Sequence, residues 1–115
     1  MHAEGQVRYE PDGDQPRVVL AGAIDAACER AFDAAYADVT AAVPGDLTVD
    51  LSEVTFLGTH GLAFFIRLRN HLAPNGHRVI LFKPSSDVML TVHAAGLRKI
   101  FTVVEPEPPR AADPR

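Results

Sequence analysis

Between Phe56 and Leu62 the chain reads Phe-Leu-Gly-Thr-His-Gly-Leu, setting a hydroxyl, Thr59, and an imidazole, His60, between two glycines. A threonine at the start of a helix has two uses. As a capping residue it stabilises the helix by ~1 kcal/mol and needs no other purpose. As an accessible hydroxyl beside free backbone N–H groups and the positive end of a helix dipole, it is also a good place to put a phosphate. Phosphorylation there changes the charge and shape of a surface without unfolding anything, which suits a partner switch. His60 offers a different chemistry, that of a phosphoryl carrier or a general base. Against that, no Ser-His-Asp or Cys-His arrangement with recognisable flanking residues accompanies it, so His60 also reads as an ordinary surface side chain.

Other chemistries are poorly provided for. No Gly-Lys-Ser/Thr sequence exists, which excludes a phosphate-binding loop of that type. His71 and His77 lack the i, i+4 spacing of a helical metal pair, His93 has no Cys or His nearby, and Cys28 stands alone. No metal site and no cofactor site is expected, and a single cysteine excludes an internal disulfide and fits a reducing compartment. The 115 residues suit one domain, and 47% hydrophobic with 23% charged residues is the composition of a chain that folds alone. A net charge of −4 gives no electrostatic basis for nucleic-acid binding. The first residues, Met1-His2-Ala3-Glu4-Gly5-Gln6, form no basic and apolar leader, and no apolar run approaches the ~20 residues of a membrane span. A cytoplasmic protein without membrane insertion is expected.

The elements that must position Thr59 follow from periodicity. Gln6–Tyr9 and Arg17–Gly22 flank the turn-forming run Pro11-Asp12-Gly13-Asp14, which predicts an opening antiparallel hairpin. From Ala26 to Val43, Cys28, Phe32, Ala35, Val39 and Ala42 recur at helical spacing, with Asp25 as N-cap and Pro44-Gly45 as the stop. Cys28 falls on the apolar stripe and reads as a small core residue. Leu47–Leu51 and Arg78–Phe82 are β-rich runs separated by a helix over Thr59–Leu72 and the turn Pro74-Asn75-Gly76. Pro84-Ser85-Ser86-Asp87 starts a third helix, Gly96 stops it, and Ile100–Val104 makes a last strand.

The order is therefore ββαβαβαβ, an α/β domain over 6–104. It implies a mostly parallel sheet of four or five strands with an antiparallel edge, right-handed crossovers and three to four helices. From Glu105 the Pro-rich run to Arg115 buries no apolar face and is expected to be a disordered tail. On a wheel of the second helix, Leu62, Phe65, Ile66, Leu68 and Leu72 share one face, while Ala63, Arg67, Asn70 and His71 share the other. Phe64 lies beside the polar arc, as a partly buried flank residue or as an apolar anchor for a partner. In such sheets binding surfaces gather at the carboxyl ends of strands, here Gly22-Ala23-Ile24-Asp25 and Phe56–Leu62.

With these residues in place, the chain resembles the STAS domain of anti-sigma factor antagonists from about Val7 to Val104. The resemblance is carried by Gly22-Ala23-Ile24-Asp25, Val49-Asp50-Leu51-Ser52, the run Val54–Leu62, Gly76–Leu81, Pro84-Ser85 and Ala95–Phe101. It implies a non-enzymatic module that binds a serine/threonine protein kinase of the GHKL type acting as anti-sigma factor, frees the sigma factor, and is switched off when that kinase phosphorylates it. Thr59 aligns with the phosphoacceptor, and Asp25, Gly58, Thr59, His60, Gly61 and Phe64 line the implied contact surface. Any ATP belongs to the partner. The family's usual Asp-Ser-Ser-Gly or Asp-Thr-Ser-Gly is Gly58-Thr59-His60-Gly61 in this chain, and Gly-Glu-Leu-Asp is Gly22-Ala23-Ile24-Asp25, which removes two acidic groups from one rim. Two other readings stand beside it: an unphosphorylated STAS adaptor subunit of a signalling or transport assembly, and a phosphocarrier using His60. An exposed edge strand or the Phe64 flank leaves a homodimer open.

Overall fold

The computed structural model describes residues 5–11, 15–42 and 44–104. Two strands open the chain, β1 (Gln6–Glu10) and β2 (Arg17–Ile24), and a 3₁₀ turn over Ala26–Cys28 leads into α1 (Glu29–Ala41). β3 (Leu47–Leu57) and α2 (Thr59–Leu72) follow, then β4 (Val79–Phe82), α3 (Ser86–Ala94) and β5 (Thr102–Val104). The five strands form one sheet in chain order, with β1 antiparallel to β2 and every later pair parallel. This is the α/β architecture expected from the order of elements, antiparallel edge included.

The core follows from alternation. In β2, Val18, Leu20 and Ile24 are fully buried, and Val49, Leu51, Val79 and Leu81 continue that layer into β3 and β4. Burying each such side chain stabilises the fold by roughly 1.5–3 kcal/mol. α2 supplies Leu62, Phe64, Phe65, Leu68 and Leu72. A run of aromatic rings ties the layers together. Phe32 of α1 stacks on Phe64 of α2 at 4.6 Å, Phe64 lies 6.4 Å from Phe65, and Phe65 meets Phe101 edge-on at 6.2 Å.

Several boundaries differ from the sequence expectations. The first helix begins as a 3₁₀ turn, and Asp25 caps that turn, its Oδ1 accepting from the Ala27 N–H at 3.0 Å. β3 continues past Leu51 to Leu57 because its pairing with β2 survives two shifts of register: Val19 faces Asp50 but Ala21 faces Glu53, and Gly22 faces Val54 but Ala23 faces Phe56. Each shift inserts one extra residue in β3, so its buried positions become Leu51, Val54 and Leu57 and the period of two is lost. Ile100 belongs to a 3₁₀ turn (Arg98–Ile100), and β5 starts at Thr102. The expected hairpin turn at Asp12-Gly13-Asp14, the helix end at Val43 and the tail 105–115 lie outside the described residues.

At the opposite end of the sheet Asp46 fastens the starts of β3 and β4 together. Its Oδ1 accepts from the Arg78 N–H at 2.8 Å and its Oδ2 from Arg78 Nη2 at 3.2 Å, with His77 Nδ1 3.8 Å away. The Arg78 backbone N–H above all, helped by the guanidinium and by His77, holds the Asp46 carboxyl below its ordinary value.

Candidate functional site

The ends of β2 and β3 are joined where the Gly58 N–H donates to the Ile24 carbonyl at 2.9 Å. Gly58 is the N-cap residue of α2, and its carbonyl accepts from the N–H groups of Gly61 at 3.1 Å and Leu62 at 3.2 Å. Thr59 is thus the first helical residue, and no side chain caps this end of α2. The capping use of Thr59 is thereby corrected: its hydroxyl stands exposed at a helix amino terminus without that structural duty. Ser85 shows the contrast, since its Oγ accepts from the Val88 N–H at 3.1 Å and caps α3 as the sequence suggests.

His60 is exposed beside Thr59, with Nε2 3.9 Å from Oε1 of Glu29 in the first turn of α1. That is an ion pair only while the imidazole is protonated, and it is too long for the hydrogen bond that orients a catalytic base. Asp25 is half-buried and engaged with Ala27. Asp25, Gly58, Thr59 and His60 therefore share one end of the sheet.

Gly61 and Phe64 do not belong to that surface. Gly61 is buried, and a Cβ on it lies 2.4 Å from Leu57 Cδ1 and 3.0 Å from Ile24 Cγ2, so this glycine lets α2 seat on the strands below. Phe64, with 2% of its surface exposed, is a core residue stacked on Phe32. The reading of Phe64 as a partner anchor is corrected on this ground. Helix α2 packs against the sheet and also against α1, so its buried arc is wider than a helix lying on a sheet alone requires.

The exposed aromatic ring at this end of the sheet belongs to Phe56, which the sequence places only within the junction Phe56–Leu62. Phe56, near the end of β3, is 54% exposed, and a Cβ on Gly58 lies 3.2 Å from its Cε2, so the ring sits against Gly58. Carrying the alternation of Leu47, Val49 and Leu51 onward also turns Phe56 outward, and that is the signal available in the sequence.

Thr59, Ala63, Arg67 and Asn70 recur on one exposed side of α2. Beside them lies a shallow groove of about 500 Å³ lined by Tyr36, Ala63, Ile66, Arg67, Asn70 and His71. Its floor is fixed by Arg67, whose guanidinium sits 3.9 Å from the Tyr36 ring centroid and 2.7 Å from Asp33 Oδ1. Cys28 is buried, its thiol 3.7 Å from the Ala23 carbonyl, as a core position requires. Among the described residues no group of three or more His, Cys, Asp or Glu gathers to hold a metal, and no helix is long and apolar enough to cross a membrane.

Comparison with known proteins agrees with this geometry. The family model described as "Mlab, STAS domain" matches residues 7–105. Among solved structures, an anti-sigma factor antagonist from Mycobacterium paratuberculosis is 27% identical, covers 91% of this chain and 88% of its own, and superposes with a TM-score of 0.74. The unphosphorylated form of the anti-sigma factor antagonist SpoIIAA is 17% identical, covers 93% of both chains and gives a TM-score of 0.75. No curated protein matches the chain significantly.

Proposed function

We propose that this chain, which belongs to the STAS domain family, is an anti-sigma factor antagonist switched off by phosphorylation at Thr59. Its partner in this reading is an anti-sigma factor that is itself a serine/threonine kinase; the unmodified domain occupies that partner and leaves a sigma factor free to direct transcription. The observation that carries the reading is the exposed Thr59 hydroxyl, first residue of α2, unused as a cap and flanked by backbone N–H groups that favour an anion. The likeness to two solved anti-sigma factor antagonists supports the same class.

Chemically the switch is a phosphoryl transfer. Thr59 Oγ1 forms a bond to the γ-phosphorus of ATP held by the partner, the bond to the β–γ bridging oxygen breaks, ADP leaves, and the hydroxyl proton passes to a base on the partner. The product adds about −1.5 to −2 charge at pH 7 to a helix end that has no acid in its first turn. His60, beside it, becomes a candidate counter-ion when protonated. No step uses His60 as nucleophile or Cys28 as thiol.

One feature favours the adaptor reading: Gly58 and His60 stand where the family usually places an acid and a second hydroxyl. A pull-down from native cytosol with wild type, Thr59→Ala and Thr59→Glu, followed by intact-mass analysis, separates the two. The switch predicts a kinase held by wild type and Ala but lost with Glu, and one acid-stable phosphoryl adduct on Thr59. If all three capture the same non-kinase assembly and no adduct appears, the adaptor reading replaces the switch. An acid-labile adduct that persists in Thr59→Ala transfers the role to His60.

A further inference from the structure

Phe56 is the one aromatic side chain among the exposed large hydrophobics of the described residues. Its exposure is built in. The second register shift of β3 falls between Val54 and Phe56, leaving Val54 and Leu57 buried and Phe56 outside. The ring lies against Gly58, the residue preceding Thr59: a Cβ there comes within 3.2 Å of its Cε2. Phe56 and Thr59, three positions apart in the chain, are both exposed at this end of the sheet.

The chain segment around the ring is uncharged. From Val54 to Thr59 the chain carries no ionisable group, and the exposed Ala26 and Ala27 lie two and three residues beyond Ile24, whose carbonyl binds the Gly58 N–H. At this end of the sheet Asp25 accepts from the Ala27 N–H, and Glu29 Oε1 lies 3.9 Å from His60 Nε2. A surface of this kind is complementary to an apolar pocket, not to a charged one.

We infer that Phe56 is the anchor by which the kinase-type partner recognises this chain, its ring entering an apolar pocket beside the phosphate-donating cleft. The inference rests on the Thr59 reading and adds a mechanism to it. A phosphate on Thr59 puts a dianion at the rim of a contact that excludes water, and the unpaired charge must be desolvated or the contact given up. Release then needs no change of fold in this domain.

The test measures the affinity of the kinase recovered with wild type, once purified, for wild type, Phe56→Ala, Phe56→Leu, Leu90→Ala and Thr59→Glu. Leu90, 67% exposed on α3, is the control for loss of an exposed apolar side chain elsewhere. Phe56→Ala is expected to weaken binding about fivefold or more, Phe56→Leu less, and Leu90→Ala less than twofold. Because Phe56 is exposed, the variants keep the wild-type circular dichroism and melting temperature. In a double-mutant cycle the loss caused by Thr59→Glu is smaller on the Phe56→Ala background. A loss below about fivefold for Phe56→Ala, with Thr59→Glu still released, overturns the inference and leaves the Thr59 reading standing. Equal binding of Thr59→Glu, or no kinase on wild type, removes that reading and this inference with it. Sedimentation of wild type as a dimer and of Phe56→Ala as a monomer also overturns it, since a second copy then covers the ring.

Discussion

A hydroxyl that stabilises its helix is hard to separate from one that serves a partner, and Thr59 and Ser85 provide the separation within one chain. Ser85 caps α3 through Val88, whereas the amino end of α2 has no side-chain cap. Ser85→Ala is therefore expected to cost about 1 kcal/mol and Thr59→Ala less than about 0.5 kcal/mol in denaturant unfolding. An equal cost for the two returns Thr59 to a structural role. Gly61→Ala tests the other glycine of the motif. An alanine is worth up to about 1 kcal/mol over glycine inside a helix, yet here the new methyl lies 2.4 Å from Leu57 Cδ1 and 3.0 Å from Ile24 Cγ2, both in the buried core, so these side chains must shift. Overpacking wins, and a net loss of about 1–3 kcal/mol is expected, read as a lowered melting temperature.

Among the elements, α2 was the most legible, since Gly58 and the 3.6-residue period mark Thr59–Leu72 without help from the rest of the fold. β3 was legible only to Leu51, because two extra residues taken up against β2 break the alternation that identifies a strand, and such shifts depend on the partner strand. Phe64 was misplaced for a related reason, since its burial is decided by Phe32 on another helix. Phe64→Ala is expected to cost about 3–5 kcal/mol, a core loss and not a binding defect. The Asp46 clamp gives the elements a pH signature. Its carboxyl is held low in the folded chain, so the stabilisation is fully present above the unfolded value, roughly 3.9, and is lost as pH falls through the folded value. Asp46→Asn should lower the melting temperature at pH 7, and the gap to wild type should close on acidification below about pH 4. A gap independent of pH places the effect elsewhere.

At the scale of the whole molecule, element order, antiparallel edge and family were all readable from the order of short motifs, because each strand–helix unit announces itself by composition and turn residues. What composition cannot reveal is which residues at this end of the sheet stay exposed: the structure leaves Thr59 and His60 of α2 and Phe56 of β3 at the surface and buries Gly61 and Phe64. In the proposed function the domain presents a surface with one chargeable point, Thr59. The most direct test is phosphosite mapping of the chain recovered from its native cells, with the co-purifying proteins identified for the modified and unmodified fractions. The account expects an acid-stable phosphate on Thr59 in one fraction and a kinase retained only by the other. A kinase retained equally by both fractions, a chain never modified at Thr59, or a phosphate found only on His60 contradicts it.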